Sequence, residues 1–155
     1  MLKFGLSIAF IAFTADQVSK WLILNYVMAP PRVIPVTDFF NLVLSRNTGV
    51  SFGLFGDAPP WALMGLTLVI VCGLLFWLHR ADHRLTALSL GLVAGGALGN
   101  LVDRLRHGAV TDFLDFYLAT FHWPAFNLAD VAIVSGVGLL LLESILPRDE
   151  AKGPK

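Results

Sequence analysis

The chain alternates between long apolar stretches and shorter polar ones. Four of the apolar stretches are about 20 residues long, which is the length a helix needs to cross roughly 30 Å of bilayer hydrocarbon. A helix also satisfies its own backbone hydrogen bonds in that medium, so the pattern predicts four membrane-spanning helices. They cover residues 4–24, 61–78, 85–105 and 128–146. We interpret the first stretch as a retained span rather than a signal peptide, because it carries Asp16 and Lys20 and no A-x-A cleavage site follows.

Basic residues between and beyond the spans predict the orientation. An even number of spans puts both termini on one side of the membrane. Six Lys or Arg residues share that side and three lie opposite, so the positive-inside rule makes the termini cytoplasmic. The six are Lys3, Arg80, Arg84, Arg148, Lys152 and Lys155, and the three are Arg32, Arg46 and Arg106.

Residues 25–60, between the first two spans, follow a different pattern. RVIPVTDFFNLVLSRNTG is rich in Val, Ile, Phe and Thr and is interrupted by Pro and Gly, which predicts short strands or a hairpin at the membrane surface. The apolar VSFGLFG after it is expected to lie in the interface. The sequence therefore predicts an all-α membrane protein with four transmembrane helices and a small extracytoplasmic β-rich segment between the first and second spans. Residues 1–155 are expected to form a single integral-membrane domain.

Composition narrows the function. The chain is 56% hydrophobic and 14% charged, which fits a bilayer as its solvent. Its 11 basic and 11 acidic residues balance without a basic tract, so we expect no nucleic-acid binding. The one cysteine, Cys72, lies in an apolar run and is predicted to pack in a core. A single cysteine forms no disulfide framework and no cysteine-based metal site.

Several polar residues fall inside the predicted spans, where a charge costs about 2.5 to 3.5 kcal/mol and usually faces a protein interior. Asp16 and Lys20 are four residues apart on one helix face. This spacing fits either a structural ion pair or a role near a site. In the third span, GGALGNLVDRL places Asn100 and Arg104 on one stripe, with Asp103 adjacent.

Two carboxylates stand out near the outer ends of the last two spans. Asp112 lies in GAVTDFLDF, and Asp130 lies in FNLAD, where Asn127 could cap the fourth helix. We expect both aspartates at the same membrane depth. A partly desolvated pair of carboxylates shares a proton and can activate water for peptide hydrolysis. Spacing alone leaves Asp115 as a rival for Asp112, and leaves open that Asp130 only stabilises the helix N-terminus.

Two other patterns are rejected as sites. GVSFG, residues 49–53, matches the G-x-S-x-G nucleophile elbow, but the chain has no room for the α/β sheet that positions such a Ser51. His79 and His83 are four residues apart without an H-E-x-x-H motif, and both lie in the basic cytoplasmic loop. We therefore predict neither a serine nucleophile nor a metal.

Taken together, five segments resemble the bacterial lipoprotein signal peptidase family, signal peptidase II, in the same order over nearly the whole chain. They are DQVSK (16–20), NTGVSF (47–52), GGALGNLVDR (95–104), GAVTDFLDF (108–116) and FNLADVAIVSG (126–136). Val50 and Ser51 stand where the family often has two alanines, and Thr111 stands where Val is common. These differences bear on the fit of the substrate.

The resemblance implies an aspartic endopeptidase that acts without a cofactor or metal. By motif position, the catalytic pair is Asp112 and Asp130, and Asp115 matches an accompanying acid. The residues implied to line the substrate site are Asn47, Asn100, Arg104 and Asn127, and those implied to support it are Asp16, Lys20 and Asp103.

The resemblance also implies a substrate and a location. The substrate is a prolipoprotein whose lipobox cysteine carries a diacylglyceryl group, cut just before that cysteine. The enzyme is expected in the bacterial cytoplasmic membrane, in contact with its lipid, as a monomer with the active site near the outer surface.

The alternative from another class is a small channel or transporter with charged residues along an ion path. Four spans without an inverted repeat or broken helices argue against it. A cleavage assay distinguishes the two.

Overall fold

The structure is a computed structural model that describes residues 1–49 and 60–145. Residues 50–59 and 146–155 lie outside it. They include VSFGLFG, Val50, Ser51 and the C-terminal basic residues used for the orientation. The last residue of the fourth predicted span, Leu146, also lies outside the described residues.

Among the described residues, four helices are long and apolar enough to cross a membrane. The prediction of four helices with the length and composition of membrane spans is therefore confirmed. The helices are α1 (Leu2–Leu22), α2 (Pro60–His79), α3 (Arg84–His107) and α4 (Leu128–Ile145). A π-helical turn, Ile23–Val27, extends α1 beyond its predicted end because the chain there is still mostly apolar.

Helix α3 lies at the centre of the bundle. In its most apolar stretch 61% of the residues are buried, against 17 to 22% in the other three helices. Its glycines explain the close packing: a Cβ on Gly95 would collide with the backbone of Ala9 in α1, and one on Gly96 with the backbone of Ala129 in α4. The polar residues of α1, α3 and α4 are thereby brought into contact.

Cys72 corrects one prediction. Its side chain is exposed on α2 rather than packed in a core. In a membrane span an apolar run has the same composition whether it faces a helix or the lipid, so the run around Cys72 could not distinguish the two.

In the part of the chain that the structure describes, a four-stranded antiparallel sheet adjoins the helices, in the order β1-β2-β3-β4. The strands are β1 (Ile34–Thr37), β2 (Phe40–Asn47), β3 (Val110–Leu118) and β4 (Phe121–His122). The predicted strands between the first two spans are thus present. The sequence did not predict β3 and β4, which come from the segment between the third and fourth spans.

The chain returns alongside β3 before it enters α4. Phe126 pairs with Leu114, and each backbone N–H donates to the other residue's carbonyl, at 3.0 and 2.9 Å. This pairing brings the next residue, Asn127, beside Asp112. The start of α4 is therefore fixed against the middle of β3.

Candidate active site

The two aspartates of β3 face opposite sides of the strand. They are three residues apart, and side chains alternate along a strand. Asp115 lies opposite Asn41 of β2, accepts a hydrogen bond from the Asn41 side chain at 3.0 Å, and lies 2.9 Å from Nδ1 of His122. Asp112 lies opposite Ser45 and faces α3 and α4. The structure thus brings Asp112, rather than Asp115, to Asn127 and Asp130.

Asp112 is 2% exposed, and its main partner is the side chain of Asn127. Nδ2 of Asn127 donates to Oδ1 of Asp112 at 2.6 Å. The same amide nitrogen lies 3.2 Å from both Oδ1 of Asn100 and the carbonyl oxygen of Thr111. Asn47, from the end of β2, also donates to Asp112. Asp112 is therefore held by two amide side chains.

Asp130 has both a helix-capping contact and contacts to the site. Oδ1 of Asn127 accepts from the Asp130 backbone N–H at 3.1 Å, and Oδ2 of Asp130 accepts from the Asn127 N–H at 3.2 Å. These reciprocal bonds form a capping box, in which Asn127 is the cap that the FNLAD pattern indicated. The other oxygen, Oδ1, accepts from Nδ2 of Asn100 at 2.9 Å. Asn127 thus contacts both aspartates.

The surroundings of Asp112 favour its protonated form. Burial raises the pKa of Asp112 from 3.8 to about 6, and repulsion from the negative charge of Asp130 acts in the same direction. Hydrogen bonds from Asn47 and Asn127 and the charge of Lys20 oppose these effects without overcoming them. Asp112 therefore holds a proton more tightly than an ordinary aspartate does.

This pKa shift predicts a pH-dependent stabilisation by Asp112→Asn. Because its folded-state pKa is raised, Asp112 contributes most to stability below pH 3.8, and this contribution is lost as the pH rises to about 6. The loss amounts to about 3 kcal/mol, and a neutral Asn avoids it. Thermal unfolding from pH 4 to 8 should show the variant gaining on the wild type up to about pH 6, then a constant difference. A difference that is the same at every pH would contradict this assignment.

A buried ion-pair cluster of α1 and α3 residues lies next to Asp112 and Asp130. Nζ of Lys20 is 2.9 Å from Oδ2 of Asp16 and 3.2 Å from Oδ2 of Asp103, and it donates to Oδ1 of Asn100 at 3.0 Å. Because the Asn100 oxygen faces Lys20, its amide NH₂ is turned towards Asp130. The Asp16–Lys20 pair is therefore both a structural ion pair and a neighbour of the site.

Asp16 also joins α1 to the start of α4. Its Oδ1 accepts from the backbone N–H of Ala129 at 3.0 Å, one of the free donors of the first helical turn. This approach requires Gly99, because a Cβ there would collide with the Asp16 carboxylate. Asp16 thus helps to fix the turn that carries Asp130.

Sequence reasoning missed two residues of this cluster. Nε2 of Gln17 lies within 3.2 Å of Asp16, Asp103 and the Gly99 carbonyl. The Thr111 backbone N–H donates to Asp103 at 2.9 Å. Gln17 lies inside the DQVSK segment, so its neighbours could have indicated it. The contact of Thr111 is made by its backbone N–H and does not depend on residue type, so the sequence could not predict it.

Arg104 extends the site towards the end of β2. Nη2 of Arg104 donates to the carbonyl of Gly49 at 2.9 Å. The Arg104 guanidinium also interacts electrostatically with the carboxylates of Asp130, Asp112 and Asp103. Its buried Nε has no hydrogen-bond partner among the described residues. All nine residues that the resemblance implied for the site, Arg104 included, lie in one connected cluster.

Within residues 1–49 and 60–145, no group of three or more His, Cys, Asp or Glu side chains could hold a metal ion. The chemistry available to the cluster is that of paired carboxylates, amides and one guanidinium. Such a set suits acid and base catalysis of a hydrolysis.

Known proteins resemble the chain over almost its whole length. Residues 8–146 match the family described as signal peptidase (SPase) II. A protein named lipoprotein signal peptidase from Rhodopseudomonas palustris strain TIE-1 is 42% identical, and the match covers 98% of each chain. Another of that name, from Nitrobacter hamburgensis, is 44% identical and covers 99% of this chain and 98% of its own.

Solved structures share the fold. A bacterial membrane enzyme solved at 2.3 Å superposes with a TM-score of 0.83 at 26% identity, covering 97% of this chain and 93% of that one. A second, solved at 1.9 Å, gives 0.80 at 27% identity, with 94 and 93% coverage.

Proposed function

The chain belongs to the signal peptidase II family, and we propose that Asp112 and Asp130 are its catalytic pair. It is an aspartic endopeptidase, a multi-pass protein of the bacterial inner membrane that removes signal peptides from prolipoproteins. The contact of Asn127 with both aspartates carries the proposal. Because Asn127 donates a hydrogen bond to each carboxylate, the two carboxylates lie on either side of one residue. Asp112 is the acid, because its raised pKa favours the protonated form, and Asp130 is the base.

The reaction follows from this division of roles. Ionised Asp130 takes a proton from a water molecule, and the water oxygen attacks the carbonyl carbon of the scissile peptide. Protonated Asp112 gives its proton to the carbonyl oxygen, so a neutral tetrahedral diol forms. As the C–N bond breaks, Asp130 gives the proton it took from water to the amine nitrogen. Asp112 takes back a proton from one diol hydroxyl, which leaves the new carboxyl group and restores both aspartates to their starting states.

Four further residues are proposed to hold the peptide and the aspartates in place. Asn100 and Asn127 orient the carboxylates through the hydrogen bonds described above. Asn47 and Arg104 lie on the side of β2, where their amide and guanidinium groups are proposed to face the bound peptide. Asp16, Lys20 and Asp103 fix Asn100 and the first turn of α4 from behind. Since one chain supplies the whole set, we propose that it acts as a monomer.

The substrate is proposed to be a precursor whose cysteine already carries diacylglycerol. The aspartates lie at the end of the bundle where β3 joins α3 and α4, which supports cleavage close to the membrane surface. Purified enzyme should cut a lipidated precursor just before the modified cysteine, with a chelator present. A channel would conduct ions and leave the precursor intact.

The orientation is tested by labelling single cysteines in a Cys72→Ala background. We propose that the sheet is extracytoplasmic and that both termini are cytoplasmic, on the strength of the distribution of basic residues. A membrane-impermeant thiol reagent added outside should label Thr120→Cys, in the β3–β4 turn, and spare Asp82→Cys, between α2 and α3. Both positions are exposed, so accessibility within the protein is matched. The reverse labelling pattern would contradict the orientation.

A further inference from the structure

A groove of about 540 Å³ lies beside Asp130 on the outer half of α4. One wall is the returning segment with Trp123 and Phe126, and the other is the start of α4 with Asp130, Val131 and Val134. Val131 is 42% exposed and Val134 is 70% exposed. Because α4 spans the membrane, this exposed apolar face contacts hydrocarbon. The groove therefore connects the candidate catalytic carboxylate with the bilayer.

We propose that this groove holds an acyl chain of the lipid on the substrate's cysteine, an inference that rests on the proposed function. The scissile peptide bond lies just before that cysteine, and the diacylglyceryl group is bonded to the cysteine sulfur. Only a few bonds separate the scissile peptide from the first acyl carbons, so an acyl chain must leave the site close to Asp130. A chain in the groove would run from Asp130 past Val134 into the hydrocarbon.

The size of the groove favours one acyl chain over the helix of a signal peptide. At roughly 30 Å³ for a group the size of a water molecule, 540 Å³ corresponds to roughly 18 methylenes. A helix that crosses the bilayer is about 30 Å long and 10 to 12 Å wide, or roughly 3,000 Å³. The signal peptide must therefore lie elsewhere.

The groove positions the acyl chain more than it attracts it. A chain that moves from bilayer lipid into an apolar groove exchanges one hydrocarbon medium for another, so little hydrophobic free energy is gained. Fixing the chain beside Asp130 also fixes the cysteine to which it is attached. Correct placement of the scissile bond is worth large factors in rate, and a displacement of about 1 Å can cost about a hundredfold. Through this groove, lipidation contributes to the rate of cleavage.

The test compares Val134→Trp, which fills the groove, with Leu141→Trp on the same face of α4. Leu141 is 60% exposed and lies about two turns further along the helix, outside the groove. Each enzyme is given a precursor with a dipalmitoyl or a diacetyl lipid, and kcat/KM is measured. Val134→Trp should lower kcat/KM about tenfold or more for the dipalmitoyl substrate and less than twofold for the diacetyl one. Leu141→Trp should change neither value by more than twofold.

Two results would overturn the proposal. Equal losses with both substrates would mean that Val134→Trp disturbs the catalytic site itself. Equal kcat/KM values of the wild type on the two lipids would mean that the acyl chain is not positioned. Both results leave cleavage by the wild type intact, so they are distinguishable from failure of the proposed function, which would appear as no cleavage at all.

A photoreactive diazirine near the end of the acyl chain gives an independent readout. Bound to Asp112→Asn, which is expected to hold substrate without cutting it, the probe should label residues 123–126 or 131–135. Labelling confined to α2, or to the far end of α4, would contradict the proposal.

Discussion

Asp112→Asn is expected to reduce the turnover of a lipidated precursor at least a thousandfold while the protein stays folded and binds substrate. Proton transfer by a positioned group is worth about a hundred- to ten-thousandfold, and the variant has no carboxyl proton to give to the carbonyl oxygen of the scissile peptide. Asn keeps an oxygen that can accept the hydrogen bond from Asn127, so the fold should hold. Steady-state cleavage, substrate binding and thermal unfolding should be measured together.

Two other aspartates are matched controls for this loss. Asp115 lies three residues after Asp112, on the opposite face of β3, where it contacts Asn41 and His122. The Asp115→Asn enzyme should lose less activity than the Asp112→Asn enzyme. Asp38→Asn alters an exposed residue just before β2 and should keep most of the activity. Equal losses from Asp112→Asn and Asp115→Asn would remove the distinction between the two faces of β3. Because residues that act as a unit are not additive, Asp112→Asn/Asp130→Asn should be hardly worse than either single variant.

Lys20→Met is expected to lower the free energy of unfolding by about 3 to 5 kcal/mol, the usual cost of removing one partner from a buried ion pair. Lys20 is 3% exposed and lies between the carboxylates of Asp16 and Asp103, which would be left buried and unpaired. Asn100 would also lose the donor that holds its oxygen. Activity should therefore fall along with stability, and both can be measured in nanodiscs.

Lys3→Met is the control for that change, because Lys3 is an exposed residue near the start of α1. It should alter the unfolding free energy by less than about 0.5 kcal/mol. Replacing both carboxylates as well, in Asp16→Asn/Lys20→Met/Asp103→Asn, should recover part of the lost stability, since no buried charge is left without a partner. A loss below about 1 kcal/mol for Lys20→Met would show that water or lipid headgroups already reach the cluster.

Much of the bundle and the site could be predicted because membrane spans and intramembrane charges leave strong signals in a sequence. Twenty apolar residues define a span, and a charge such as Lys20 within one requires a partner. The Asn127 cap of α4 was likewise visible in FNLAD. These signals depend on residue type and short-range spacing, which the sequence contains directly.

The remaining features depend on long-range pairing. Strand β3 was not predicted, because its two carboxylates interrupt the apolar pattern and its partners lie in a segment about 70 residues away. Spacing alone could not distinguish Asp112 from Asp115, because that distinction depends on the register of the strand. Thr111 supports Asp103 through its backbone N–H, which every residue except proline possesses.

Cleavage by Asp130→Asn tests the central claim most directly, because Asp130 has a complete structural explanation as the capping-box partner of Asn127. Asn at this position can still accept the hydrogen bond from the Asn127 N–H, but it cannot take a proton from water. The measurement is the rate at which bound, lipidated precursor is cut in a single turnover, with thermal unfolding recorded on the same sample. We predict a fall of at least a thousandfold with an unfolding temperature close to that of the wild type. A folded Asp130→Asn enzyme that cuts at a near-normal rate would show that Asp130 only caps α4, and the catalytic pair would be wrong.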